Sequence, residues 1–123
     1  MIYFPVTCDV ITPGHIKCFR WLQEKDEVII GLLTSEALDG YKKNVVPYTD
    51  RLFVLEALTD IKIVPQTTLN PKENLIKYEC DKIASGDGWE DAELSAINEL
   101  GIETVEIDFP GKRYSSSQLK GKK

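Results

Sequence analysis

The chain has 123 residues, of which 42% are hydrophobic, so we expect one domain spanning residues 1–123 around a single core. Its net charge of −5 argues against nonspecific nucleic-acid binding, and it contains neither a secretory leader nor an apolar run near the roughly 20 residues of a membrane span. Three cysteines, Cys8, Cys18 and Cys80, lack the paired spacing of a metal site. We therefore interpret them as free thiols of a cytoplasmic protein.

Basic charge is concentrated at one end of the chain. Residues 111–123 contain five basic and no acidic residues. Because the rest of the chain is strongly acidic, this end is a candidate contact for a small anionic ligand. Lys122 and Lys123 themselves are interpreted as a solvated tail.

Strand-like and helix-like segments alternate along the sequence. The continuous apolar run 27–33 is typical of a strand buried on both faces of a parallel sheet, and Asn70-Pro71 and Gly101 are typical helix boundaries. Strands are predicted at 2–7, 27–33, 61–64, 82–85 and 102–107. Helices are predicted at 14–25, from Thr49 or Asp50 to 58, from Pro71 to 80, at 90–100 and at 115–120, with a loop at 34–46. The alternation predicts an α/β fold: a Rossmann-like five-stranded parallel sheet with helices on both faces.

The segment Thr12-Pro13-Gly14-His15 lies between the first predicted strand and the first predicted helix, and His15 is the only histidine. A helix N-terminus offers unpaired N–H groups and a partial positive charge, which favour a phosphate there. His15 adds a hydrogen bond or a positive charge to the same position. The sequence therefore predicts a phosphate site at this turn.

Three further blocks follow predicted strands, at the sheet edge where ligands of such folds bind. They are Lys42-Lys43 with Arg51, the run Gly86-Asp87-Gly88-Trp89-Glu90, and Arg113 followed by Ser115, Ser116 and Ser117. Alone, each has a simpler interpretation as a solvated loop, a turn or a flexible serine run. With a strand before each block, they predict a single site that binds more than one phosphate.

In this order, the blocks resemble the nucleotidylyltransferase superfamily with the His-x-Gly-His type of signature, and most closely its glycerol-3-phosphate cytidylyltransferases. The resemblance implies that His15 stabilises charge on the α-phosphate, with Thr12 as a weaker partner and Lys42 on the nucleotide phosphates. It implies an acceptor phosphate held by Arg51 and Lys72. The implied nucleotide contacts are Thr7, Cys8, Pro13, Gly14, Asp87, Trp89, Arg113, Ser115, Ser116 and Ser117.

The activity implied by the resemblance is transfer of CMP from CTP to a small phosphorylated alcohol or sugar, with release of pyrophosphate. It also implies Mg²⁺ that arrives with the triphosphate rather than on protein ligands, and a possible homodimer. Thr12 stands where cytidylyltransferases usually have histidine and adenylyltransferases of the pantetheine-phosphate or sugar-phosphate type have threonine, so ATP is the alternative donor. Departures from the family pattern favour a third alternative, a catalytically impaired nucleotide-binding domain: Val6, Cys8, Thr12, Gly40 and Pro110. The sequence gives poor support to a flavodoxin-like signalling domain, because the phosphate-binding blocks would then occur in it by coincidence.

Overall fold

A parallel sheet of five strands organises the computed structural model, which describes residues 1–38, 46–86 and 88–108. The strands are β1 (Ile2–Val6), β2 (Val28–Leu33), β3 (Lys62–Gln66), β4 (Lys82–Ser85) and β5 (Glu103–Glu106). They lie in the order β3-β2-β1-β4-β5, and all neighbouring pairs are parallel. The predicted Rossmann-like α/β fold is therefore confirmed.

Helices cover both faces of this sheet. On one face, α1 (Pro13–Gln23) and α3 (Tyr48–Leu58) bury Phe19, Leu22 and Leu55 against alternate residues of β1 and β2. On the other, α4 (Lys72–Lys77) and α5 (Asp91–Leu100) pack against the intervening residues. A short helix, α2 (Ser35–Leu38), follows β2. Within the described ranges, no helix is long and apolar enough to cross a membrane.

The structure differs from the sequence prediction mainly at helix boundaries. The predicted loop 34–46 begins with α2, because the Thr34 hydroxyl accepts the Ala37 N–H at 3.2 Å and Ala37 and Leu38 bury their side chains. The predicted helix caps Thr49 and Asp50 lie inside α3, which begins at Tyr48. The helix predicted from Pro71 to 80 is shorter in the structure, where α4 ends at Lys77. Glu79, just beyond this end, adopts a φ of 54°. The predicted helix 115–120 lies outside the described residues.

A buried polar network ties the central strands to α4. The Tyr3 hydroxyl donates to Gln66 Oε1 at 2.6 Å and accepts a hydrogen bond from Asn74 Nδ2 at 2.9 Å. Gly31 lies on β2, the strand between β1 and β3. A Cβ atom added to Gly31 would come within 1.9 Å of the Tyr3 hydroxyl oxygen. Burial raises the pKa of the Tyr3 hydroxyl, which therefore remains a donor. Glycine at position 31 is required for this network.

We expect Gly31→Ala to destabilise the fold by about 1–3 kcal/mol, because the new methyl group displaces the Tyr3 ring and its hydrogen bonds. Urea unfolding of Gly31→Ala, Tyr3→Phe and the double variant measures this effect. The double variant is expected to lose less stability than the sum of the single variants, since both disturb the same contact. Strict additivity would contradict this assignment.

Candidate functional site

The sheet reverses its winding direction between β1 and β4. From β1 the chain crosses to β2 on one side, whereas from β4 it crosses to β5 on the other. In open α/β sheets such a switch point leaves a crevice beyond the carboxyl ends of the strands, where ligands bind. Here the crevice lies beside the start of α1, which follows β1, and beside the Ser85-Gly86 segment, which follows β4.

The start of α1 has the features of an anion site. Thr12 is the N-cap residue and has an extended backbone. Pro13 occupies the first turn, where the N–H that proline lacks would have had no hydrogen-bond partner within the helix. The next residue, Gly14, is buried, and the first turn contains no acidic side chain. No acidic side chain within this turn therefore neutralises the helix dipole.

His15 is held in a defined orientation in this turn. Its Nδ1 accepts the backbone N–H of Thr12 at 3.0 Å, and the Thr12 hydroxyl oxygen lies 3.2 Å from the same nitrogen. A nitrogen that accepts an N–H bond carries no proton of its own, so in the neutral ring the proton is assigned to Nε2. The turn therefore fixes the ring with Nε2 as its donor.

Cys8 marks the bend between β1 and this turn. It is buried and adopts a φ of 53°, which is unusual for a residue other than glycine. Burial raises the pKa of the Cys8 thiol to about 12, although the nearby Arg51 charge acts in the opposite direction. The thiol is therefore protonated at neutral pH and is not a nucleophile.

Arg51 joins the segments that surround the turn. Its Nη1 donates to the carbonyl oxygens of Thr7 at 2.9 Å and Leu33 at 2.7 Å, which follow or end β1 and β2. Its Nε donates to the carbonyl oxygen of Val46, before α3, at 2.7 Å. The residue is only 2% exposed, and burial lowers the pKa of its guanidinium, opposed by the charge of Asp9. Arginine nevertheless stays protonated at neutral pH.

These contacts differ from the forked phosphate contact that the resemblance implies for Arg51. A fork needs Nη2 together with either Nη1 or Nε, and both Nη1 and Nε already donate to main-chain carbonyl oxygens. Nη2 is buried and has no hydrogen-bond partner among the residues that the structure describes. These contacts give Arg51 a positioning role in the backbone, and its contact with a phosphate stays a prediction.

A cleft of about 320 Å³ opens at the carboxyl ends of β4 and β5. Half-buried Trp89 forms one wall and also packs against the core beneath α5. Two acidic residues, Glu106 and Asp108, belong to the same lining, with Ser85, Gly86, Gly88 and Ile107. The cleft thus combines a flat apolar surface with hydrogen-bond acceptors.

The predicted site residues fall into three groups. Those at the carboxyl edge are Thr7, Cys8, Thr12, Pro13, Gly14, His15, Arg51 and Trp89. Lys72 is not brought to them: its ammonium group pairs with Glu99, in the last turn of α5, at the end of the helix farther from this edge. The others lie outside the described residues: Lys42, Asp87, Arg113, Ser115, Ser116 and Ser117.

Sequence reasoning did not single out three acidic residues near the site. Asp9 Oδ1 accepts the Val46 N–H at 2.7 Å and so joins the β1–α1 turn to the start of α3. Glu106 and Asp108 line the cleft at the end of β5. Their position at or just beyond a strand end was the available signal, but acidic residues are common at such exposed positions.

Together, the fold and this edge define an α/β protein in which a helix N-terminus suited to an anion lies at a topological switch point. The cytidylyltransferase-like family matches residues 3–122, and the chain belongs to that family, within the nucleotidyltransferase superfamily. No curated protein sequence matches the chain.

Two of the solved structures that share the fold are similar to this chain over almost its whole length. One is described as the lipopolysaccharide core biosynthesis protein from Thermoplasma volcanium GSS1, with a TM-score of 0.72, 24% identity, and coverage of 93% of this chain and 97% of that one. The other is a protein with unknown function from Archaeoglobus fulgidus, with a TM-score of 0.68, 18% identity and coverage of 93% of both chains. At these identities the similarity establishes the fold alone.

Replacing Arg51 by methionine is expected to lower the free energy of unfolding by about 3 kcal/mol or more, since three main-chain carbonyl oxygens lose a charged donor. Urea unfolding measures the loss. Arg20→Met, at an exposed position of α1, is the matched control and is expected to change stability by less than about 0.5 kcal/mol. Equal, small effects of both substitutions would contradict the positioning role.

Proposed function

We propose that the protein transfers CMP from CTP to a small phosphorylated alcohol or sugar and releases pyrophosphate. The observation that carries the proposal is the fixed His15 ring at the start of α1, with Nδ1 engaged by the Thr12 N–H. Family membership supports nucleotidyltransferase activity, and the nature of the donor and acceptor is our inference.

In the proposed reaction, an oxygen of the acceptor phosphate attacks the α-phosphorus of the triphosphate. The bond from the α-phosphorus to the oxygen that bridges to the β-phosphate breaks, and pyrophosphate leaves with that electron pair. Negative charge grows on the α-phosphate oxygens, where the His15 Nε2–H and the α1 N-terminus stabilise it. Direct displacement agrees with the protonated, buried thiol of Cys8.

Mg²⁺ fits this scheme as a companion of the triphosphate. Over the parts of the chain that the structure describes, no group of three or more His, Cys, Asp or Glu side chains could hold a metal ion. Mg²⁺ commonly binds substrate phosphates and retains several waters, so phosphate oxygens are its expected ligands here. When bound, it supplies additional neutralisation of phosphate charge.

The cleft beside Trp89 is the proposed place for the base. The tryptophan ring offers an apolar surface, and the carboxylates of Glu106 and Asp108 accept hydrogen bonds from an exocyclic amino group. Cytosine and adenine carry such a group, whereas uracil presents a carbonyl oxygen in its place. This chemistry supports CTP and leaves ATP as the second candidate, which Thr12 also favours.

The remaining contacts are proposed on family resemblance. Lys42, Arg113 and Asp87, with Ser115, Ser116 and Ser117, would complete the nucleotide site, and Thr7, Cys8, Pro13 and Gly14 would form the turn beneath the phosphates. To bind the acceptor phosphate, Lys72 would have to break its ion pair with Glu99. Arg51 would contribute by fixing the backbone of the site through its hydrogen bonds to carbonyl oxygens. A catalytically impaired domain would bind triphosphate without transfer.

His15→Ala is expected to lower kcat by about 100-fold or more, because one hydrogen bond to the negative charge that grows in the transition state is lost. Steady-state pyrophosphate release measures the effect. Glu24→Ala, at the opposite end of α1, is the control for changes in the helix and is expected to retain wild-type activity. A His15 variant within a few-fold of wild type would contradict the assigned role.

Pyrophosphate release from CTP, ATP and UTP, each with Mg²⁺ and a pool of phosphorylated alcohols and sugars, tests the donor. We expect release with CTP that depends on an acceptor, and much less with UTP because the cleft carboxylates repel its carbonyl oxygen. Release with ATP alone would assign the adenylyltransferase alternative. Binding of triphosphate without release for any pair would contradict transfer and indicate an impaired domain.

A further inference from the structure

A glutamine is buried at the carboxyl end of β3. Gln66 is the last residue of the strand and is only 2% exposed. Its side-chain oxygen accepts the hydrogen bond from the Tyr3 hydroxyl, and its Nε2 donates to the carbonyl oxygen of Thr68 at 2.9 Å. The carbonyl oxygen of Leu69, at 3.4 Å, is a second acceptor for Nε2. A buried amide is costly unless its groups are paired, so hydrogen bonding accounts for glutamine at this position.

The hydrogen bonds of Gln66 fix the segment 67–70, which leads from β3 towards α4. Within this segment, Leu69 packs against the buried side chains of α2. Beyond it, Asn74 Nδ2 donates to the carbonyl oxygen of Pro65 at 2.9 Å, so α4 is tied back to β3. The segment is therefore held at both ends, and the side chain of Gln66 determines the path of its backbone.

The segment 67–70 lies at the same edge of the sheet as the start of α1 and the cleft beside Trp89, because it follows the carboxyl end of β3. In the proposed function the base takes the flank beyond β4 and β5, and the α-phosphate lies at the centre, after β1. The strand order then leaves the flank beyond β2 and β3 for the acceptor. Two strand spacings, about 10 Å, separate β3 from β1, a distance that a small phosphorylated alcohol or sugar can span.

Two exposed hydroxyl groups stand on this segment, and they differ in their use. Thr68 donates its hydroxyl hydrogen to the carbonyl oxygen of Asn70 at 3.0 Å, within the segment. Thr67, beside it, is exposed at the carboxyl end of β3. A hydroxyl both donates and accepts, which matches the hydroxyl groups of an alcohol or sugar. Thr67 is therefore the better candidate for a contact with the acceptor.

We propose that Gln66 is a positioning residue for the acceptor: its Nε2 holds the segment 67–70 so that the Thr67 hydroxyl binds a hydroxyl group of the phosphorylated alcohol or sugar. This inference rests on the proposed function. Gln66 itself touches neither substrate and acts through the segment. The contact is far from the reacting phosphorus, so it strengthens binding of the acceptor equally in the ground state and the transition state. Its loss therefore raises the KM of the acceptor and leaves kcat unchanged.

Steady-state pyrophosphate release by the full chain, with CTP, Mg²⁺ and a pool of phosphorylated alcohols and sugars that includes glycerol-3-phosphate, tests the inference. Gln66→Met keeps the length of the side chain and removes both N–H donors. We expect the apparent KM of the pool to rise about tenfold, with kcat and the KM of CTP within about twofold of wild type. Tyr3→Phe is the matched control, because it breaks the same buried network but leaves the Nε2 donors in place. It is expected to lose stability in urea and to keep the wild-type KM of the pool.

Thr67→Val removes the hydroxyl at an exposed position, where the substitution does not threaten folding, and is expected to raise the KM of the pool by a similar factor. An active wild-type chain whose acceptor KM is insensitive to Thr67→Val, or to Gln66→Met in a folded variant, would overturn this inference and leave the proposed function standing. An equal effect of Tyr3→Phe, or an equal rise in the KM of CTP, would overturn it as well, since either indicates a general structural role. A wild-type chain that releases no pyrophosphate with any donor would overturn the proposed function and this inference with it.

Discussion

The arrangement of the candidate site depends on one buried cation. Arg51 donates hydrogen bonds to main-chain oxygens of three segments: Thr7 just after β1, Leu33 at the end of β2, and Val46 two residues before α3. Burying a guanidinium in a core of this size is costly unless its donors are used. The carbonyl oxygens at the strand ends would likewise lack partners without it. Nη1 and Nε of Arg51 and these carbonyl oxygens satisfy each other, and the backbone that leads into His15 is fixed as a result.

The chemistry of the site follows from this fixed backbone. Because Thr7 is held by its carbonyl oxygen, Cys8 can keep a left-handed conformation and direct the chain into the first turn of α1. Asp9 adds a second link, through the Val46 N–H, between the same turn and the start of α3. The turn then presents a helix N-terminus and an oriented imidazole without rearrangement, which is what electrostatic stabilisation of a phosphoryl transition state requires.

The sequence predicted the parts of this structure that local chemistry controls. The apolar run of β2, the glycine after α5 and the Thr-Pro-Gly-His turn have short-range signals, so the five strands and the helices α1, α3, α4 and α5 were placed to within a few residues. The short helix α2 was missed, because it lies in a segment predicted to be a loop. Contacts between distant residues had no such signal. Nothing near Tyr3 in the sequence indicates Gln66, and nothing near Arg51 indicates that carbonyl oxygens, rather than a phosphate, would occupy Nη1. The ion pair of Lys72 with Glu99 likewise depends on how α4 and α5 pack.

The central claim is that the start of α1 and His15 hold the α-phosphate of a nucleoside triphosphate. A crystal structure with cytidine triphosphate in which a methylene group replaces the α,β-bridging oxygen tests it directly, since this analogue binds without transfer. The expected result is an α-phosphate oxygen within hydrogen-bonding distance of His15 Nε2, about 2.7–3.2 Å, with the base in the cleft beside Trp89. A triphosphate bound elsewhere, or one at this edge with its α-phosphate out of reach of His15, would contradict the assignment.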